Sequence, residues 1–176
     1  MHEPPRPIAL IGLMGAGKSA VARVLGERLA VSVADLDAML EAETGRTIAA
    51  QFADDGEAGF RRREGLALRR ALAAGVRVIA CGGGVVLDPG NRALLKERCD
   101  VVWLEVGPEQ AARRLAAILA TRPLLAGADP ENRLRTVLDE RAELYREVAA
   151  RRITTDGLGV EQVADAVLAG RVGAAR

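Results

Sequence analysis

Short apolar runs alternate along the chain with longer stretches whose apolar residues recur every three or four positions. PIALIGL (7–13), VSVAD (31–35), VRVIAC (76–81), DVVWLEV (100–106) and RRITT (151–155) have the length and composition of strands. KSAVARVLGERLA (18–30) puts Val21, Val24, Leu25 and Leu29 on one helical face. Further helical stretches are predicted over 36–43, 47–53, 56–75, 89–98, 132–150 and 160–168, and Pro108 opens another. Strands alternating with helices predict an α/β protein with a mainly parallel sheet. The short segments around 45–56 and 121–129 are the candidate mobile flaps.

At 176 residues the chain has the length of one domain, and 49% hydrophobic residues can fill its core. Phe52, Phe60, Trp103 and Tyr145 are the only aromatics, too few for a platform that stacks nucleic-acid bases. The net charge of +1 supplies no global field toward nucleic acid or an anionic membrane. MHEPPRP at the start has no apolar signal region, and no apolar run approaches the ~20 residues of a membrane span. Cys81 and Cys99 make neither a disulfide framework nor a zinc site. A cytoplasmic protein without nucleic-acid or membrane partners is expected.

GLMGAGKS (12–19) fits G-x-x-x-x-G-K-[ST], with a predicted strand before it and a helix after it. Glycines let consecutive N–H groups turn inward onto phosphate oxygens, and the helix N-terminus adds partial positive charge. Lys18 is one of only two lysines, the other being Lys96, in a chain that otherwise uses arginine. It is placed to reach the β and γ phosphates, and Ser19 to offer its hydroxyl to Mg²⁺. The ATP-binding candidates here are Gly15, Ala16, Gly17, Lys18, Ser19 and Ala20. Such a loop serves switch GTPases, motors and small-molecule kinases alike. Lys96 lies in LLKERC, which does not fit a guanine-reading element, and motors need longer chains. A small kinase is the reading that remains.

The acceptor side is sought among the other polar groups. ADLDAML (34–40) carries Asp35 and Asp37, which face one way if the chain is still extended there. CGGGVV (81–86) follows a buried strand, at the end of the sheet where ligands bind in such folds. FRRRE (60–64) spaces three arginines at 100° steps on a helix, so one or two of them at most can face a site. Arg122 lies in TRPLLAG and Arg141 in DERAELY.

GLMGAGKS, DLD, GEAGFRRRE, CGGGVV, RPLLAG and RAELYREVA, in that order and spacing, resemble the shikimate kinase family from about residue 8 to 168. The phosphate loop is shared by many families, whereas the combination of the other motifs is specific. The resemblance implies one three-layer P-loop kinase domain over 1–176, with a five-stranded parallel sheet and helices on both faces. It implies a substrate-binding region at about 36–64 and a lid at about 112–128. The implied activity transfers the ATP γ-phosphoryl group to the 3-hydroxyl of shikimate, with Mg²⁺, in a monomer. Carried over by position, Asp35 resembles the carboxylate that supports magnesium and Asp37 the one that binds the shikimate hydroxyls. Arg61 and Arg141 resemble the grip on the shikimate carboxylate, Gly82, Gly83 and Gly84 line the acceptor, and Arg122 closes from the lid. Lys18, Asp37 and Arg122 are then the catalytic candidates, and Leu158 is the one adenine-side candidate. Leu36, Ala20 and Glu143 depart from the family pattern, and none removes a group that the chemistry needs. A gluconate kinase of the same fold, or a nucleotide-binding domain without catalysis, are the competing expectations.

Overall fold

The computed structural model describes residues 5–116 and 129–172. Arg122, the RPLLAG stretch and most of the expected lid lie outside these residues. The strands are β1 (Ile8–Ile11), β2 (Val33–Asp35), β3 (Val78–Ala80), β4 (Asp100–Glu105) and β5 (Arg151–Thr154). The helices are α1 (Lys18–Leu29), α2 (Leu36–Thr44), α3 (Ile48–Ala73) and α4 (Pro89–Arg98) in the first part of the chain. α5 (Pro108–Leu115), α6 (Pro130–Val148) and α7 (Val160–Val172) follow. The five strands form one parallel sheet in the order β2-β3-β1-β4-β5, as the alternating pattern predicts.

Side-chain alternation along the strands divides the core in two. Ile8 and Leu10 of β1 point into one cluster with Val102 and Leu104 of β4, under α1 and α7. Ala9 and Ile11 point into the other with Val101 and Trp103, under α2, α3 and α4. Helices thus cover both faces, which explains why the inner strands read as unbroken apolar runs rather than as alternating ones. Each fully buried Ile or Leu contributes roughly 1.5–3 kcal/mol by leaving water. Among the described residues no helix is long and apolar enough to cross a membrane.

Two expected helices at 47–53 and 56–75 are joined in α3, with the break kept as a kink at Gly56 (φ 66°, ψ 174°). Residues 85–87 form a single 3₁₀ turn after β3, which the apolar pattern does not announce.

All five strands run the same way, so their C-terminal ends lie along one edge of the sheet. β1 runs there into Gly12, β2 ends at Asp35 and β3 leads to Cys81. Gly12 passes so close to β4 that a Cβ on it would stand 2.3 Å from the Leu104 carbonyl oxygen. Its φ of +135° is also outside the range of ordinary residues. Gly75 has a φ of +73° but open space around it. Gly12→Ala should therefore cost about 3 kcal/mol of unfolding free energy, from a backbone clash plus strain. Gly75→Ala should cost about 1 kcal/mol, from conformation alone. Urea unfolding of the two variants checks this, and equal losses would contradict the close approach to β4.

Candidate active site

The phosphate loop leaves β1 and enters α1 through Gly17, whose left-handed φ of 87° sets the first helical turn. Lys18 opens α1 and is 9% exposed. Its ammonium donates to the carbonyls of Gly12 and Leu13 at 2.9 Å each. Gly15, Gly17, Lys18, Ser19 and Ala20 all line one cavity of about 320 Å³. Ala16 does not; its side chain is buried, and its N–H donates to the Leu13 carbonyl at 3.2 Å. Leu158 is also outside the lining, exposed in the turn after β5, where its N–H donates to Thr155.

Arg114 of α5 lines the same cavity and was not singled out by sequence. Its guanidinium donates to the Gly15 carbonyl at 3.2 Å and to the Thr155 carbonyl at 2.7 Å. It thereby ties the phosphate loop to the loop after β5. An arginine on a strongly amphipathic helix reads as a solvated one, and only the fold turns this one inward.

Asp35 and Asp37 both line the cavity, though not by strand alternation. The strand ends at Asp35, which caps α2 by accepting from the Ala38 N–H at 3.1 Å. Asp37 comes round to the same cavity through the first turn of α2, where the helix dipole favours a negative charge.

Of the three arginines in FRRRE, only Arg61 reaches the cavity wall. Arg62 is exposed and Arg63 pairs with Asp55. The Arg61 guanidinium lies 5.4 and 5.3 Å from the ring centroids of Phe52 and Phe60, which stack on each other. It donates to Glu64 at 2.9 Å and to Glu57 at 3.3 Å. Arg141, on α6, is 4% exposed and faces the same cavity.

Glu64 is the strongest group that sequence reading passed over. It is fully buried against the cavity, and its Oε1 has no hydrogen-bond partner among the described residues. Burial raises its pKa above the usual 4.5, with Arg61 opposing and Asp37 adding to the rise. Its spacing from Arg61, three residues along a helix, was the available signal. Cys81 also lines the cavity, and burial pushes its thiol well above the usual range, which makes it inert packing.

Gly82, Gly83 and Gly84 form the floor of the cavity. A Cβ on Gly82 would stand 2.2 Å from Glu64 Oε1 and 3.0 Å from Asp37 Oδ1. One on Gly83 would stand 3.8 Å from Arg141 Nη1, and one on Gly84 would be 2.2 Å from the Arg61 guanidinium carbon. Two carboxylates and two guanidiniums therefore gather on three residues that have no side chain. Fixed cations beside acceptor oxygens suit a small hydroxylated carboxylic acid. At the other end the phosphate loop suits a nucleotide. For a metal, the donor set is the Ser19 hydroxyl and the Asp35 carboxylate, one of whose oxygens is engaged in capping. That set fits Mg²⁺, which takes one or two protein groups and completes its shell with phosphate oxygens and water.

The raised Glu64 pKa gives a pH test. A carboxyl with a folded pKa above its unfolded value contributes stability below the unfolded pKa and loses it as pH rises through the folded one. Glu64→Gln, neutral at every pH, should gain stability relative to the parent between pH 4 and pH 7. Denaturant unfolding at the two pH values measures the difference, and a relative loss toward pH 7 would reverse the assignment.

A family model for shikimate kinase matches residues 14–170. The shikimate kinase of Symbiobacterium thermophilum is 46% identical over 157 residues, covering 89% of this chain and 90% of that one. Among solved structures, shikimate kinase from Acinetobacter baumannii in complex with shikimate superposes with a TM-score of 0.92 at 38% identity, covering 98% of this chain and 96% of that one. A gluconokinase from Sinorhizobium meliloti 1021 reaches a TM-score of 0.59 at 20% identity, covering 99% of this chain and 95% of that one, which is a likeness of fold alone. The family model and the two shikimate kinases span nearly the whole chain, and the motifs among the described residues meet in one cavity: the chain belongs to the shikimate kinase family.

Proposed function

We propose that the cavity holds ATP at the phosphate loop and shikimate on the glycine floor, and that the γ-phosphoryl group passes to the 3-hydroxyl, giving shikimate 3-phosphate and ADP. The observation that carries this reading is the single cavity that joins Lys18 and Ser19 to Asp37, Arg61 and Arg141. Arg61 and Arg141 grip the carboxylate of shikimate, and the backbone at 82–84 lines the bound acceptor. Asp37 accepts the hydrogen bond of the 3-hydroxyl, orients it for in-line attack and takes its proton as the new P–O bond forms. Lys18 neutralises charge on the transferred group. Ser19 and Asp35 would hold Mg²⁺, Ser19 as a ligand and Asp35 as a support to its water shell, and the ion would supply the remaining neutralisation at the phosphates. Arg122, outside the described residues, is assigned to the lid that closes over the phosphates and excludes water. The reading places the protein in the cytoplasm, where free Cys81 and Cys99 stay reduced. It takes the working unit as a monomer.

ADP release should be far faster with shikimate than without an acceptor, and gluconate should give only the background rate. Equal turnover on gluconate, or none on shikimate, would overturn the reading. The two aspartates separate in a magnesium titration. Mg²⁺ tolerates loss of an outer carboxylate better than loss of a direct ligand. Asp35→Asn should need more Mg²⁺ and recover most of its rate when it is supplied. Asp37→Asn should lose about 10²-fold or more in turnover, as expected for a general base, and extra Mg²⁺ should not restore it. Rescue of Asp37→Asn by magnesium would mean that the two roles are reversed.

A further inference from the structure

Tyr145 is the only tyrosine of the chain, and nothing in the reaction above uses it. It lies on α6 one turn beyond Arg141, so the two side chains share a helix face. It is fully buried, with its ring 5.6 Å from that of Trp103. Its hydroxyl donates to the carbonyl of Gly83 at 2.5 Å. A phenylalanine would fill the same space without burying a hydroxyl, so packing alone does not account for a tyrosine here. Gly83 is also the member of the glycine floor that faces Arg141, whose Nη1 is 3.8 Å from the position a Cβ would take.

We propose that Tyr145 is a positioning residue for the acceptor: its hydroxyl fixes the Gly83 peptide relative to the Arg141 guanidinium, so that both meet the same carboxylate. The inference rests on the assignment of Arg141 to the shikimate carboxylate. The Gly83 C=O and the Gly84 N–H belong to one trans peptide and point opposite ways. Holding the carbonyl toward α6 therefore holds the Gly84 N–H away from it. Neither glycine has a Cβ to limit rotation of that peptide, so the tyrosine supplies a restraint that the loop lacks. Burial pushes the phenol up to about 12, against the pull of Arg141, so it remains a donor at any pH at which the protein works.

Tyr145→Phe keeps the ring and removes the hydroxyl. KM for shikimate should rise about five- to tenfold, the scale of one buried hydrogen bond, while KM for ATP stays within about twofold. In an Arg141→Ala background the same change should add less than about twofold, because the hydroxyl acts together with that guanidinium. An unchanged KM for shikimate, an equal loss for ATP, or full multiplication of the two effects would overturn the proposal. If Arg141→Ala itself binds shikimate as the parent does, the carboxylate assignment fails, and the role of Tyr145 with it. If only the tyrosine variant is silent, the positioning role alone fails. Fluorotyrosine incorporation labels this one residue and needs no substitution. Its ¹⁹F resonance should move on saturation with shikimate, and a resonance that stays in place overturns the proposal should Tyr145→Phe not fold.

Discussion

The whole site depends on how closely charged side chains approach one stretch of backbone. Gly82, Gly83 and Gly84 do not have φ values that demand glycine; a Cβ on Gly82 would overlap Glu64 and press on Asp37, and one on Gly84 would overlap Arg61, whereas one on Gly83 would make only ordinary contacts. The absence of Cβ atoms at Gly82 and Gly84 lets Glu64, Asp37 and Arg61 converge on one wall, which Arg141 joins beside Gly83. Like charges at that spacing repel, and the Arg61 guanidinium beside Glu64 offsets part of that repulsion. Glu64 pairs with Arg61 and remains the uncomfortable member, buried with one oxygen unpartnered among the described residues. Its cost is tolerated because it fixes Arg61 between the carboxylate and the phenylalanine pair, so the guanidinium is already in place.

The sheet order puts this floor where it is needed. β3 lies between β2 and β1, so the chain leaving β3 emerges between the aspartates and the phosphate loop. The aspartates and the phosphate loop thus face each other across a few residues of backbone. Arg114 reinforces the nucleotide side by joining the phosphate loop to the turn after β5. Short connections on rigid strands suit phosphoryl transfer, in which positioning and charge neutralisation carry most of the work.

Much of this was legible in the sequence. The parallel sheet followed from alternating strands and helices, and the phosphate loop from its motif and context. The 100° stepping of FRRRE predicted that few of its arginines face a site, and the structure brings in Arg61 alone. Other features depended on tertiary contact. Asp37 reaches the cavity through a helical turn, because the chain leaves the extended conformation one residue earlier than alternation required. Arg114 and Tyr145 stand on helices whose patterns say only which face is buried, and their partners are distant in sequence; Glu64 has Arg61 three residues away, but its burial beside Gly82 came only with the fold. The glycine run pointed to a ligand, but a one-dimensional pattern cannot show that Gly82 leaves room for Glu64 and Asp37.

The most direct test of the glycine floor is shikimate binding by Gly84→Ala, followed by calorimetric titration beside a titration with ATP. The new methyl would displace the Arg61 guanidinium, the end of a flexible side chain rather than backbone, so the fold should persist. The account predicts at least about a tenfold loss of shikimate affinity, one charge-assisted hydrogen bond or more, with ATP affinity unchanged. Shikimate affinity equal to that of the parent would contradict it.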